Sequence, residues 1–298
     1  MGERISFYEE IARNKRQSYL LVSVVFFVLL ALVYVIAAIV GGDYFFMILF
    51  FGTIFSVIYV VGGYYNSDKL ALASVNAKKA DGREFKQFHD IVEGLCLASG
   101  LPKPRLYVMD DTQINAFASG RDPQHAVICV TKGCLEKLNK QELEGVLAHE
   151  LSHIANYDIK FMTLTAVLVG MISMIAQIFL RSLFWGSFGN DNRGDGRAKI
   201  IFFVVGILLA ILAPIVVALV QLAISRKREY AADSSAVKFV RSPTGLIGAL
   251  EKIRGNVPSK KRISGAVSPL FIAKPGKEKE LFQTHPSLDK RIAKLKLM

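Results

Sequence analysis

The sequence predicts a mainly α membrane protein, four hydrophobic helices with a cytosolic α+β domain containing a small sheet. Three observations lead there. Residues 19–40, 44–64, 161–180 and 200–224 are apolar runs with no Asp, Glu, Lys or Arg. Each reaches the roughly 20 residues a helix needs to cross a hydrocarbon core of about 30 Å. Hydrophobic residues are 52% of the chain and the mean hydropathy is +0.36, an excess held in those runs rather than spread. Between and after them the composition turns polar, with helical and strand-like periodicities side by side.

Residues 1–18 form a polar, mixed-charge tail on the cytosolic side. Residues 19–64 make a transmembrane hairpin. The first run exceeds the roughly 7–15 residues of a signal-peptide core and a second follows at once, so a retained hairpin is expected rather than a cleaved leader. Residues 65–160 hold the first part of the globular domain. Phe85, Phe88, Ile91, Val92 and Leu95 give Glu84–Ala98 a helical period, which Gly100 and Pro102 end. Arg105–Asp110, Asn115–Ser119 and Ala126–Thr131 read as strands, the last rich in β-branched residues. Gly133 opens a short helix, and Lys140–Asn156 is a longer one. Residues 161–224 are a second hydrophobic hairpin. Gln177, Pro214 and Gln221 leave open a hairpin that packs on the domain without spanning. Residues 225–298 are the second part of the domain: a helix Ser225–Arg254, a Gly-, Pro- and Lys-rich loop over 255–280, and a closing helix Ser287–Leu297.

The net charge is +12. Basic residues flank the runs, with Arg13, Lys15 and Arg16 before the first and Arg226, Lys227 and Arg228 after the fourth. With no aromatic-rich basic motif, the partner this implies is the lipid bilayer and not nucleic acid. The loop 41–43 carries only Asp43 and is expected on the exported side, leaving both termini and the domain cytoplasmic. Cys96, Cys129 and Cys134 suit buried core positions in a reducing compartment. The absence of ionisable residues from the four runs argues against a transporter.

His149-Glu150-Leu151-Ser152-His153 carries the chemistry. Histidines four apart share one helix face, where one metal ion can take both imidazoles, and the glutamate beside them can reach a water on that metal. A catalytic zinc needs a third protein ligand. Position 159, where some zinc helices place another histidine, is Ile159. Glu229, in Arg228-Glu229-Tyr230-Ala231-Ala232-Asp233, is the best candidate, because Ala231 and Ala232 let two helices approach closely. A salt bridge from Glu229 to Arg226 or Lys227 is the plainer alternative. Asp233, one turn on, can accept a hydrogen bond from the non-coordinating nitrogen of a ligand histidine. Glu229 and the histidines must meet on one side of the bilayer, so 161–180 and 200–224 either both cross it or both do not. An unbroken helix would put His153 about 12 Å from Phe161, close to the membrane surface. Ala126–Thr131 is expected to offer an edge for an extended peptide.

The histidine pair with Asn156 and Asp158, the segment Asn115-Ala-Phe-Ala118, Glu229-Tyr-Ala-Ala-Asp233 and the terminal His285-Pro-Ser-Leu-Asp-Lys-Arg291 resemble the M48 metallopeptidases, and within them the chain is similar to the HtpX membrane heat-shock proteases. The resemblance implies a gluzincin-type metalloprotease domain with one Zn2+ per chain on His149, His153 and Glu229. It implies Glu150 as the base, with Asp158 and Asp233 supporting the ligands. Asn115 would contact substrate backbone and His285 would lie beside the reacting carbonyl. It further implies a prokaryotic plasma (inner) membrane location and membrane-protein or unfolded polypeptide substrates. Oligomeric state is not implied. Two other readings stay open, an inactive membrane adaptor with a structural zinc site and a relative of the prenyl-protein proteases. Those proteases are longer, with more spans, and a structural site has no need of Glu150.

Overall fold

The structure, a computed structural model, describes residues 42–163, 226–255, 271–272 and 286–298, with isolated positions between 12 and 37 and residues 206–207. Within 19–40 the described positions, scattered from Tyr19 to Ala37, are all helical. The expected helices over 161–180 and 200–224, most of the 255–280 loop, and His285 lie largely or wholly outside the described residues.

A short 3-10 turn leads into α1 (Phe45–Tyr65). Among the described residues Gly42–Tyr65 is the one helix long and apolar enough to cross a membrane, with a mean hydropathy of 2.3 and 6% of its apolar window buried by protein. Phe46, Phe50, Phe51, Phe55 and Ile58 point outward, a surface that suits lipid and not water. Its hydroxyls turn inward on the backbone: Thr53 Oγ1 donates to the Leu49 carbonyl at 2.6 Å and Ser56 Oγ to that of Gly52 at 2.8 Å. No polar group is thereby offered to hydrocarbon from those two positions.

Asn66 joins α1 to α2 (Ser67–Ser74), after which come β1 (Lys78–Lys79), α3 (Lys86–Ser99), β2 (Arg105–Met109), β3 (Ala116–Gly120), β4 (Ala126–Thr131), α4 (Lys132–Lys137) and α5 (Lys140–Ala155). Past the second hydrophobic region lie α6 (Arg226–Val240), α7 (Thr244–Gly255) and α8 (Leu288–Leu295). The described fold is thus mainly helical with a small sheet. α2 and β1 are additions to the sequence reading. α3 stops at Gly100, whose left-handed φ of 71° only glycine adopts without cost.

The sheet runs β1-β2-β4-β3, with β2 and β4 parallel and the outer pairs antiparallel. Alternate residues serve two cores. Leu106, Val108, Ala118, Ile128 and Val130 face α3 and α5, whereas Met109, Phe117, Val127 and Cys129 face Leu72 of α2, Met162 and Phe271. Burial on both faces explains why β4 reads as a continuous apolar run without polar alternation.

Three expectations are corrected. β4 is flanked by β2 and β3, so Ala126–Thr131 offers no edge; the outer strands are β1 and β3, and the Ala116 carbonyl of β3 already accepts the Ile272 N–H at 3.1 Å. Ser225–Arg254 is two helices, because Pro243 disfavours a helical Ser242 and Arg241 takes a left-handed φ of 58°. The chain from His153 to Phe161 is also broken. α5 ends at Ala155, Tyr157 adopts φ 59°, and a new helix starts at Asp158.

α5 and α7 cross at two glycines. A Cβ on Gly145 would overlap the Leu246 backbone nitrogen, and one on Gly245 would overlap the Gln141 carbonyl. This close approach brings Leu246, Ala249 and Leu250 against Leu143, Val146 and Leu147, so segments on either side of the second hydrophobic region share one core. The core also docks onto the end of α1. The Lys160 ammonium lies 4.0 Å from the Tyr19 ring centroid and 5.3 Å from that of Tyr64, and the Arg121 guanidinium lies 5.1 Å from that of Tyr65.

Candidate metal centre

α5 begins with reciprocal capping. Asn139 Oδ1 accepts the Glu142 N–H at 2.9 Å and Glu142 Oε2 accepts the Asn139 N–H at 2.8 Å. From Val146 to Ile154 every residue is buried, so the helix is enclosed on all sides. His149, Glu150 and His153 therefore project into protein. α6 lies alongside and delivers Glu229 and Asp233 from one face, four residues apart.

The cluster has a defined geometry. Glu229 Oε2 is 3.6 Å from His149 Nε2, and Glu229 Oε1 is 3.6 Å from His153 Nε2. One ligand atom from each of the three residues lies within 4.8 Å of the others, and all three side chains are buried. Nitrogen and oxygen ligands about 2.1 Å from one tetrahedral ion stand roughly 3.4 Å apart, so these three could hold a metal ion. The other ring nitrogens are engaged. Asp233 Oδ1 is 3.0 Å from His149 Nδ1, and Asp158 Oδ2 is 3.1 Å from His153 Nδ1. Such contacts fix each ring so that Nε2 faces Glu229. The left-handed turn at Tyr157 folds Asp158 back onto His153; a tyrosine holds that backbone only where its surroundings impose it.

Formal charge supports the same conclusion. Glu150, Glu229, Asp158 and Asp233 are buried acids, and the buried cations among them are Arg228, with Nε 3.8 Å from Asp158, and Arg291. With all four acids ionised and both imidazoles neutral, the state a metal requires, four negative charges against two positive would leave a deficit equal to one divalent ion, and uncompensated buried charge is costly.

Burial raises the Glu150 carboxyl above the usual carboxylate range, although the imidazoles and a backbone hydrogen bond from Ala118 pull the other way. Burial works to raise Asp233 as well, but Arg291 and His149 outweigh it and hold this acid below its ordinary value. At His149, burial and Arg291 both push downward, yet hydrogen bonding to Asp233 and Glu229 prevails and places the imidazole at about 9. A metal takes only the neutral ring. Because this pKa lies above the ordinary histidine value, the protonated ring is favoured in the apoprotein, and uptake of a divalent metal at pH 7.5 is expected to release a proton. Affinity is expected to rise roughly tenfold per pH unit towards that pKa. Calorimetry on chelator-stripped protein in buffers of different ionisation enthalpy reads the released proton; uptake without release would show His149 neutral beforehand.

The structure thus brings together His149, Glu150, His153, Asp158, Glu229 and Asp233. Asn115 stands just before β3, where its N–H donates to Thr131 Oγ1 at 3.1 Å and its Oδ1 accepts the Ala116 N–H at 3.1 Å. The Glu229 carboxylate turns to the histidines, not out to a surface ion pair. Arg228 and Arg291 are the residues sequence reasoning passes over. Four acids converging on one buried point require counter-charges, and that is the signal that could have found them.

Residues 82–298 match the sequence model of peptidase family M48. The chain belongs to peptidase family M48. It is 44% identical over 294 residues to a protease HtpX homolog of Caldanaerobacter subterraneus subsp. tengcongensis, covering 98% of this chain and 97% of that protein. It is 46% identical over 246 residues to a protease HtpX homolog of Thermoanaerobacter pseudethanolicus, covering 82% of each. A crystal structure of S. mikatae Ste24p shares 18% identity at a TM-score of 0.47, covering 96% of this chain and 66% of that longer one. As an M48 member the chain is an enzyme, a metalloprotease, and the resemblance read from its motifs extends over 98% of the chain in the Caldanaerobacter relative.

Proposed function

We propose that this M48 peptidase is an integral membrane zinc endopeptidase that cleaves cytosolic segments of misfolded membrane proteins, with its site and both termini on the cytoplasmic side of a prokaryotic plasma membrane. The observation that carries the chemistry is the convergence of His149, His153 and Glu229 at one buried point, with the Glu150 carboxylate beside it. His149, His153 and Glu229 would hold one Zn2+ per chain. When bound, that ion supplies Lewis acidity, activating water and polarising the scissile carbonyl.

Glu150 accepts the proton of the attacking water and passes it to the departing amine. Its position above the ordinary carboxylate range suits both halves of that task, since the protonated form must persist long enough to be used. Asp158 and Asp233 hold the imidazoles in one tautomer. Asn115, beside β3, would contact substrate backbone, and His285 would assist at the reacting carbonyl. The membrane assignment is supported by Gly42–Tyr65 and by the rings at its end, which grip Lys160 and Arg121 and keep the domain near that helix terminus.

The test uses full-length protein in detergent with an unfolded model polypeptide. Cleavage is expected to stop after exhaustive chelation and to return with one equivalent of zinc per chain. Undiminished cleavage by the stripped protein would remove the reading. A purely structural zinc in an inactive adaptor is disfavoured by Glu150, an acid kept buried beside the cluster where no ligand role requires it.

A further inference from the structure

Arg291, on α8, is fully buried at 0% exposure, and no step above uses it. A guanidinium stays charged, so its burial must be matched by fixed partners. Its Nε and Nη2 donate to both oxygens of Asp233, at 3.0 and 2.6 Å. Nη1 lies 3.2 Å from Glu229 Oε2 and 3.5 Å from the Ile272 carbonyl. Nη2 also sits 3.3 Å from each ring nitrogen of His149, so it packs against the imidazole rather than along one lone pair. One planar group therefore touches a metal-ligand carboxylate, a metal-ligand ring and the acid that orients that ring.

We infer that Arg291 is a positioning residue for the metal centre. Its fork fixes the plane of the Asp233 carboxylate, so that Oδ1 is shared between the guanidinium and His149 Nδ1 and the imidazole is held with Nε2 towards Glu229. A second contact sets the reach of Glu229 itself. Bidentate pairing of this kind is specific to arginine; an ammonium supplies charge without the fork. The inference rests on the reading that His149, His153 and Glu229 hold zinc.

The experiment compares wild type, Arg291→Met, Arg291→Lys, Asp233→Asn and the double variant Arg291→Met/Asp233→Asn, all full length. Zinc affinity is read by chelator competition, ligand geometry by the visible spectrum of the Co2+ form, and folding by circular dichroism and thermal melting. Arg291→Met is expected to weaken zinc binding by about 10–100-fold and to alter the Co2+ spectrum in protein that remains folded. Arg291→Lys keeps charge and bulk, so it serves where the Met variant does not fold, and it too should bind zinc more weakly than wild type. The double variant should be no weaker than the worse single one, because both changes break the same link. A folded Arg291→Met or Arg291→Lys protein with wild-type zinc affinity and spectrum would overturn the inference, and so would independent, multiplicative losses in the double variant. Wild-type protein that takes up no zinc would instead remove the metal centre itself, which keeps the two failures apart.

Discussion

Glu150→Gln is expected to bind zinc as tightly as wild type and to lose peptide-bond hydrolysis by about 10²–10⁴-fold, the usual contribution of a positioned acid–base group. That range corresponds to roughly 3–5 kcal/mol of transition-state stabilisation. The substitution is close to isosteric and keeps an oxygen for the Ala118 N–H, so geometry is preserved while the proton acceptor is lost. Stability should not fall. Burial disfavours the ionised carboxylate, so a neutral amide at that place should leave the melting temperature unchanged or raise it. The measurements are turnover of an unfolded polypeptide, metal content and a thermal melt on the same preparation. Full cleavage by the variant would take Glu150 out of the mechanism. Loss of zinc would mean that the carboxylate is a ligand instead of a base.

Gly145→Val should be more damaging to the protein than any substitution in the site. The α5–α7 crossing has no room for a side chain at this point, since an added Cβ already overlaps the backbone of Leu246. Even alanine must force the helices apart, at a cost of about 1–3 kcal/mol; valine adds two more carbons and should leave little folded protein. Gly94 on α3 provides the contrast. Nothing lies within 4 Å of a Cβ there, so Gly94→Ala should be neutral or stabilise by up to about 1 kcal/mol through helix propensity. Thermal melting in one detergent compares the three variants. Gly145→Ala melting within a degree of wild type would show that the two helices can separate without loss.

These two positions also mark what can and cannot be seen in the sequence. His149, Glu150 and His153 are legible because helical spacing alone puts them together. Glu229 and Asp233 are legible because the chemistry of a two-histidine site demands a further acid, and small neighbours mark a helix that can come close. Gly145 carries no such mark. A glycine in a helix looks like a mild defect until the partner helix is in place, and Gly245 lies a hundred residues away. Strand order is hidden for a related reason: β3 and β4 both read as short apolar segments, and which one lies outermost depends on the parallel pairing of β2 with β4. The break at Ser242-Pro243 was written in the sequence, but the apolar period continues across it and masks it. α2 and β1 are too short for any period to declare itself.

The order of the residues along the chain has its own consequence. His149 and His153 are synthesised well before Glu229, and Arg291 later still. A nascent polypeptide that has not reached residue 229 has two of the three side chains proposed to grip the ion, and none of the α6 or α8 surface that orients them. On the proposed ligand set, the site is complete only once residues 229 and 291 have been made, long after the two histidines.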